Sequence, residues 1–145
     1  MKLTRRILHH HIKPVTFEYP WRNRTLGQDL LAFMRRNNGI GLAANQVGIN
    51  QRVFVMETAG WTRVCFNPEI RGHGPDRTAW NEGCLSFPGE QCIIQRWEWV
   101  DVAYQDAVGA PHTERFAGIL ARCYQHELDH LDGITMWDRR EETDA

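Results

Sequence analysis

The 145-residue chain has no apolar run near the roughly 18 residues that a membrane span needs. Its basic start, residues 1–6, leads into Ile7-Leu8 and three histidines rather than into the apolar core of a signal peptide. A cytosolic location, with no membrane partner, is the expectation. No internal repeat, low-complexity tract or long linker interrupts residues 1–145, so one domain is expected. Excess charge is missing too: 17 basic and 18 acidic residues leave a net charge of -1, which argues against nucleic-acid binding by broad phosphate neutralisation. There are only four cysteines, Cys65, Cys84, Cys92 and Cys123, and none forms a CxxC pair, which argues against a zinc ribbon or a thioredoxin-like motif. In a reducing cytosol they should be thiols, each a small buried hydrophobe unless a neighbour gives it another role.

What is present suits a globular domain, with 42% apolar and 24% charged residues. Residues 1–24 read as polar and irregular, interrupted by Pro14 and Pro20. Thr25 and Gln28 form a capping-box pattern, and Leu26, Leu30, Phe33 and Met34 follow at helical spacing, so a helix is predicted over 26–37 with Gly39 as its stop. The period then falls to two. Strands are predicted at 52–57, 63–66, 91–94 and 99–104, with turns at Asn67-Pro68, 72–76, Pro88-Gly89 and 109–111. Helical spacing returns through Ile119, Leu120, Cys123, Leu128 and Leu131, and Gly133 closes that segment. The expected class is α+β: antiparallel sheet packed around a late helix. The tail, 139–145, is charged and expected to fray.

The late helix carries HExxH at 126–130. Residues i and i+4 share a helix face, so the imidazoles of His126 and His130 can converge on one ion, with Glu127 beside them to reach a water held there. The competing reading is a helix with surface histidines and an acidic face. Apolar residues flank the motif on both sides, which turns His126 inward, and a buried histidine pair without a metal or carboxylate is costly. A catalytic site uses three protein ligands. No histidine follows His130, and Met136 stands where a longer HExxHxxGxxH motif needs one. The third ligand is expected upstream.

Upstream lies Glu82-Gly83-Cys84-Leu85-Ser86, and before it Gly39-Ile40-Gly41-Leu42-Ala43-Ala44-Asn45-Gln46. Three motifs in the order GxGxAAxQ, EGCLS, QHExDH are specific, and over roughly 30–137 the chain resembles the peptide deformylases. The resemblance implies that Cys84, His126 and His130 hold one divalent metal and that Glu127 moves protons as general base and then general acid. It implies oxyanion donors in the Gln46 side-chain amide and the Leu85 backbone N–H. Gly39, Ile40, Gly41 and Gly83 fall on the stretches implied to face an extended substrate backbone, and Ile40, Ile119, Cys123 and His126 on the methionine pocket. Gly39 and Gly41 carry no Cβ, so a backbone could approach them closely. The implied reaction is removal of the formyl group from N-formylmethionyl peptides, including ribosome-associated nascent chains, with release of formate.

The ligand spacing is equally compatible with zinc and iron. The resemblance favours ferrous iron, with zinc, nickel or cobalt as alternatives. A monomer is expected. Two departures stand out. Arg122 borders the implied pocket at a place usually apolar in the family, and would either point to solvent or favour acidic or polar substrate residues beyond methionine. The sequence also stops fifteen residues past His130, resembling short forms carried by phages, whose setting would be the host cytoplasm. The rival readings are an HExxH peptidase cutting internal bonds and a silent peptide-binding protein, against which the presence of Glu127 argues. His9-His10-His11 reads as a solvated segment rather than a second metal site, and Trp97 and Trp99 as packing rather than a ligand platform.

Overall fold

Val53, Phe54, Val55 and Met56 are all fully buried, because the strand that carries them is covered on both faces. In the computed structural model, which describes residues 1–4 and 11–140, this is the second of seven strands. The order is α1 (Pro20–Arg36), β1 (Gly41–Ala43), one tight helical turn (Ala44–Val47), β2 (Val53–Thr58), β3 (Trp61–His73), β4 (Arg77–Cys84), β5 (Phe87–Trp97), β6 (Trp99–Gln105), β7 (Pro111–Ala117), α2 (Gly118–Leu131) and a short α3 (Met136–Arg139). Five strands form one antiparallel sheet in the order β1-β2-β3-β6-β7, and β4 pairs with β5 in a separate hairpin.

The large sheet lies between the two long helices. On one face Val53, Val55 and Phe66 pack against Leu30, Phe33 and Met34 of α1. On the other, Phe54, Met56, Val100 and Val102 pack against Ala121, Cys123 and Tyr124 of α2, with the Phe54 and Tyr124 rings edge to face at 4.9 Å. The expected face of Val100, Val102 and Tyr104 is buried. A third, smaller core of Phe87, Cys92, Ile94 and Met136 seats the β4–β5 hairpin on α3.

Several local expectations need correction. The first helix starts at Pro20, which occupies its first turn, where its missing N–H costs nothing. Thr25 is not a cap: inside the helix, its hydroxyl donates to the Trp21 carbonyl. The left-handed residue after α1 is Asn38 (φ 57°) rather than Gly39. Residues 11–19 are irregular but not wholly solvated, since Ile12 and Val15 are buried. Asn67-Pro68 is no turn. β3 runs through it with a bulge, Asn67 sits at φ 49°, and its side chain bonds Val15 N–H, Val15 C=O and Gln105 in place of the lost ladder. Strands β1, β4 and β7 were not predicted. β4 and β7 each bury a single side chain, Glu82 and Phe116, so no apolar alternation marks them. The four cysteines are free thiols. His9, His10 and 141–145 lie outside the described residues, whereas Arg139 is not frayed and pairs with Asp129.

Candidate metal centre and cleft

Helix α2 ends as the sequence predicts, with Gly133 at φ 75° just past its C-terminus. One turn earlier its inner face presents His126 and His130, whose Nε2 atoms stand 3.0 Å apart. The β4–β5 hairpin brings up Cys84, whose sulfur is 3.4 Å from His130 Nε2. The three donor atoms all lie within 4.8 Å of one another. Ligands about 2.0–2.3 Å from a tetrahedral ion stand roughly 3.3–3.6 Å apart, so a thiolate and two imidazole nitrogens in this arrangement fit one divalent metal.

Neighbouring residues position the donors. His126 Nδ1 is 2.8 Å from Glu82 Oε1. Arg96 donates to both Glu82 oxygens at 2.7 and 3.0 Å, and to Asp129 Oδ2 at 2.8 Å. His130 is fully buried, and its carbonyl accepts Asn45 Nδ2 at 2.5 Å. Beyond it, Arg52 donates to the Leu131 carbonyl and to Asp132, which covers the end of the helix. The Gln46 amide is oriented without ambiguity: Ala43 N–H donates to its oxygen at 2.8 Å. Its Nε2 is therefore turned to Ser86 Oγ at 3.1 Å and to the Cys84 sulfur at 3.4 Å.

Charges at the centre are set by burial and by these bonds. Burial works against the Glu82 carboxylate, but hydrogen bonds from His126 and Arg96 hold it at about 2. Burial also works against a charged His126, yet bonds to Cys84 and Glu82 lift it to about 10. Burial, and then the neighbouring His126 charge, push His130 well below its ordinary value. Burial raises Glu127 to about 7, with Glu82 and Asp129 adding to it against His126 and Arg96. Its Oε1 is buried and has no hydrogen-bond partner among the described residues.

The centre lies at the bottom of a cavity of about 530 Å³. Gly39, Ile40, Gly41, Gln46, Gly83, Cys84, Leu85, Ile119, Arg122, Cys123, His126 and Glu127 all line it, so every expected site residue borders it except His130, which is sealed beneath. Gly41 has a nearer reason than substrate approach: a Cβ there would sit 2.7 Å from Glu127 Oε2 and 2.9 Å from Cys123 Sγ. Arg122 does not point to solvent. It is buried, donates to Glu82 and to the Thr78 and Ile94 carbonyls, and lies under the Trp80 ring at 5.0 Å. Trp97 stacks on His73 and Arg77, and Trp99 lies against Arg115, all outside the cavity. Sequence reasoning assigned no role to Glu82, Arg96, Asn45 or Ser86. Glu82, Asn45 and Ser86 lie within or beside the quoted motifs, and that adjacency was the available signal. Arg96 had none.

An antiparallel sheet crossed by a helix-borne HExxH, with a cysteine from a separate hairpin completing the donors, defines an α+β protein with a candidate single-metal centre under a cleft. The family model described as polypeptide deformylase matches residues 1–145, and the chain belongs to that family. A curated peptide deformylase from Picosynechococcus sp. is 42% identical over 123 residues, covering 81% of this chain and 66% of its own length. The crystal structure of the Thermotoga maritima peptide deformylase superimposes with a TM-score of 0.90 at 38% identity, covering 94% of this chain and 92% of that one. A probable peptide deformylase from synechococcus phage S-SSM7 gives 0.88 at 33%, covering 95% and 98%. The chain spans 60% to 66% of the lengths of curated relatives it matches. The family implies a divalent metal, and Cys84, His126 and His130 form a group able to hold it. Among the described residues, no helix is long and apolar enough to cross a membrane.

Proposed function

We propose that the chain removes the formyl group from the N-terminal formylmethionine of peptides, releasing formate. One observation carries this: a cysteine sulfur and two histidine nitrogens gather within 4.8 Å at the bottom of a cleft that also holds the Glu127 carboxyl and the Gln46 amide. Cys84, His126 and His130 would hold a divalent ion, ferrous iron by resemblance, with zinc, nickel or cobalt as substitutes. When bound, such an ion supplies Lewis acidity and a water acidified toward neutral pH.

The chain's own residues do the rest. Glu127 Oε1 takes a proton from the attacking water and later delivers one to the departing amide nitrogen, which is a poor leaving group unprotonated. The Gln46 Nε2, aimed by the Ala43 N–H, and the Leu85 N–H meet the charge that grows on the formyl oxygen. Loss of one such donor typically lowers the rate on the order of 100- to 1000-fold. Among the described residues β1 is an edge of the sheet, so an extended substrate backbone can pair along its outer side. Ile40, Ile119 and Cys123 give the first side chain an apolar wall. Cleavage of internal peptide bonds and silent peptide binding find no support in the family match.

Ribosome-associated nascent chains as the natural substrate, a monomeric state and a cytoplasmic setting, the host's if phage-encoded, belong to the same proposal. The test is formate release from formyl-Met-Ala-Ser by freshly prepared ferrous protein, with the acetylated peptide inert. Equal turnover of the two peptides, or of neither, would remove the proposal.

A further inference from the structure

The first-side-chain pocket should be apolar if methionine is all it receives, yet a guanidinium lies in its wall. Arg122 Nη1 donates to Glu82 Oε2 and to the Ile94 carbonyl, and Nη2 to the Thr78 carbonyl. Thr78 and Ile94 belong to opposite strands of the β4–β5 hairpin, and the Trp80 ring covers the group at 5.0 Å. The guanidinium is thus fixed in position. Its Nε–H makes no hydrogen bond among the described residues, and the residue borders the cavity.

We infer that Arg122 is a specificity-determining residue, presenting an immobilised N–H donor that lets the pocket accept a first side chain ending in an uncharged oxygen acceptor, with methionine sulfoxide the matching shape, as well as methionine. The inference rests on the deformylation proposed above. A neutral acceptor is favoured over a carboxylate because the wall already holds one carboxylate, Glu82, against Arg122. A substrate carboxylate would stand beside both Glu82 and Glu127, which line the same cavity. An acidic first side chain is therefore not what this wall selects. A donor held in place by its other bonds loses little freedom on meeting its acceptor, and a pocket with such a donor discriminates against an isostere that cannot accept.

The test compares formyl-X-Ala-Ser with X as norleucine, methionine sulfoxide and glutamate, reading kcat/KM for the native protein and for Arg122→Leu and Arg122→Met. The native protein is expected to use the sulfoxide within about tenfold of norleucine and to disfavour glutamate. Either variant should lower the sulfoxide-to-norleucine ratio on the order of tenfold, the weight of one hydrogen bond to a charged donor. An unchanged ratio in a folded variant overturns the inference, as does glutamate matching the sulfoxide. If neither variant folds, the native comparison decides, and a sulfoxide penalty beyond about 100-fold overturns it. If no formate appears from any peptide, the deformylation proposal fails separately. Calorimetric binding of the unformylated peptides then makes the same comparison.

Discussion

Glu82 Oε1 stands 2.8 Å from His126 Nδ1, joining the strand that leads to Cys84 to the helix that carries both histidines. The same carboxylate accepts from Arg96 Nε and Nη2 and from Arg122 Nη1, so a single buried anion couples the hairpin to α2. Among the described residues the hairpin shares no strand pairing with the main sheet, so this cluster helps the Phe87 core and the Gln46 amide to hold the sulfur against the imidazoles.

Replacing Glu82 with Gln should therefore do two things. Removing one member of a buried ion cluster costs about 3–5 kcal/mol, readable in chemical denaturation. Loss of the carboxylate behind a metal-binding imidazole should weaken metal affinity roughly 10- to 100-fold, readable by competition with a chelator. Unchanged affinity in the folded variant would leave Glu82 with a purely structural part.

Gly41→Ala tests a steric claim. The added methyl carbon would meet Glu127 Oε2 at 2.7 Å and Cys123 Sγ at 2.9 Å, from a strand that cannot move without breaking its pairing to β2. Overpacking of this kind costs about 1–3 kcal/mol. Activity should fall with metal content intact, because the carboxylate is displaced and the ligands are not. A crystal structure of the variant with Glu127 unmoved would refute it.

The candidate ligand group was legible in part because a short motif on an amphipathic helix fixes its own geometry, and Cys84 because its neighbours match a known pattern. What supports them was not. Arg96 reads in sequence as one more polar residue of a strand, and only the fold of the hairpin turns it toward Glu82 and Asp129. Strands β4 and β7 were missed for a related reason: a strand with one buried side chain has no hydrophobic period to detect. Thr25 misled because a capping pattern can occur inside a helix when Pro20 has already started it.

Glu127→Gln separates catalysis from stability. Glu127 is buried, its Oε1 lacks a partner among the described residues, and burial already raises it to about 7. An uncharged isostere relieves that strain, so the melting temperature should hold or rise. Formate release should drop at least about 100-fold, as for the loss of a general base. One metal per chain, counted by atomic absorption, should remain. Retained activity would remove the proposed proton carrier.

The last prediction concerns a cluster away from the cleft. Arg63 grips both oxygens of Glu114 at 2.8 and 2.7 Å, and the Tyr104 hydroxyl donates to Oε2 at 2.6 Å, tying β3, β6 and β7 together. The Arg63 bond, then the Tyr104 bond and the Arg63 charge, hold the Glu114 carboxyl below its ordinary value against burial. A carboxyl with a lower value in the folded than in the unfolded chain stabilises the fold above the unfolded value, near pH 4.5. That contribution is lost as pH falls through the folded value, because the unfolded chain then binds more protons. Glu114→Gln should thus be less stable than the native protein by about 1 kcal/mol at pH 7, a partly exposed pair being screened by solvent. The gap should stay constant down to about pH 5 and close at lower pH, in urea denaturation at matched ionic strength. A gap that is flat across the acid range would mean that packing around Tyr104, not the charge on Glu114, holds these strands together.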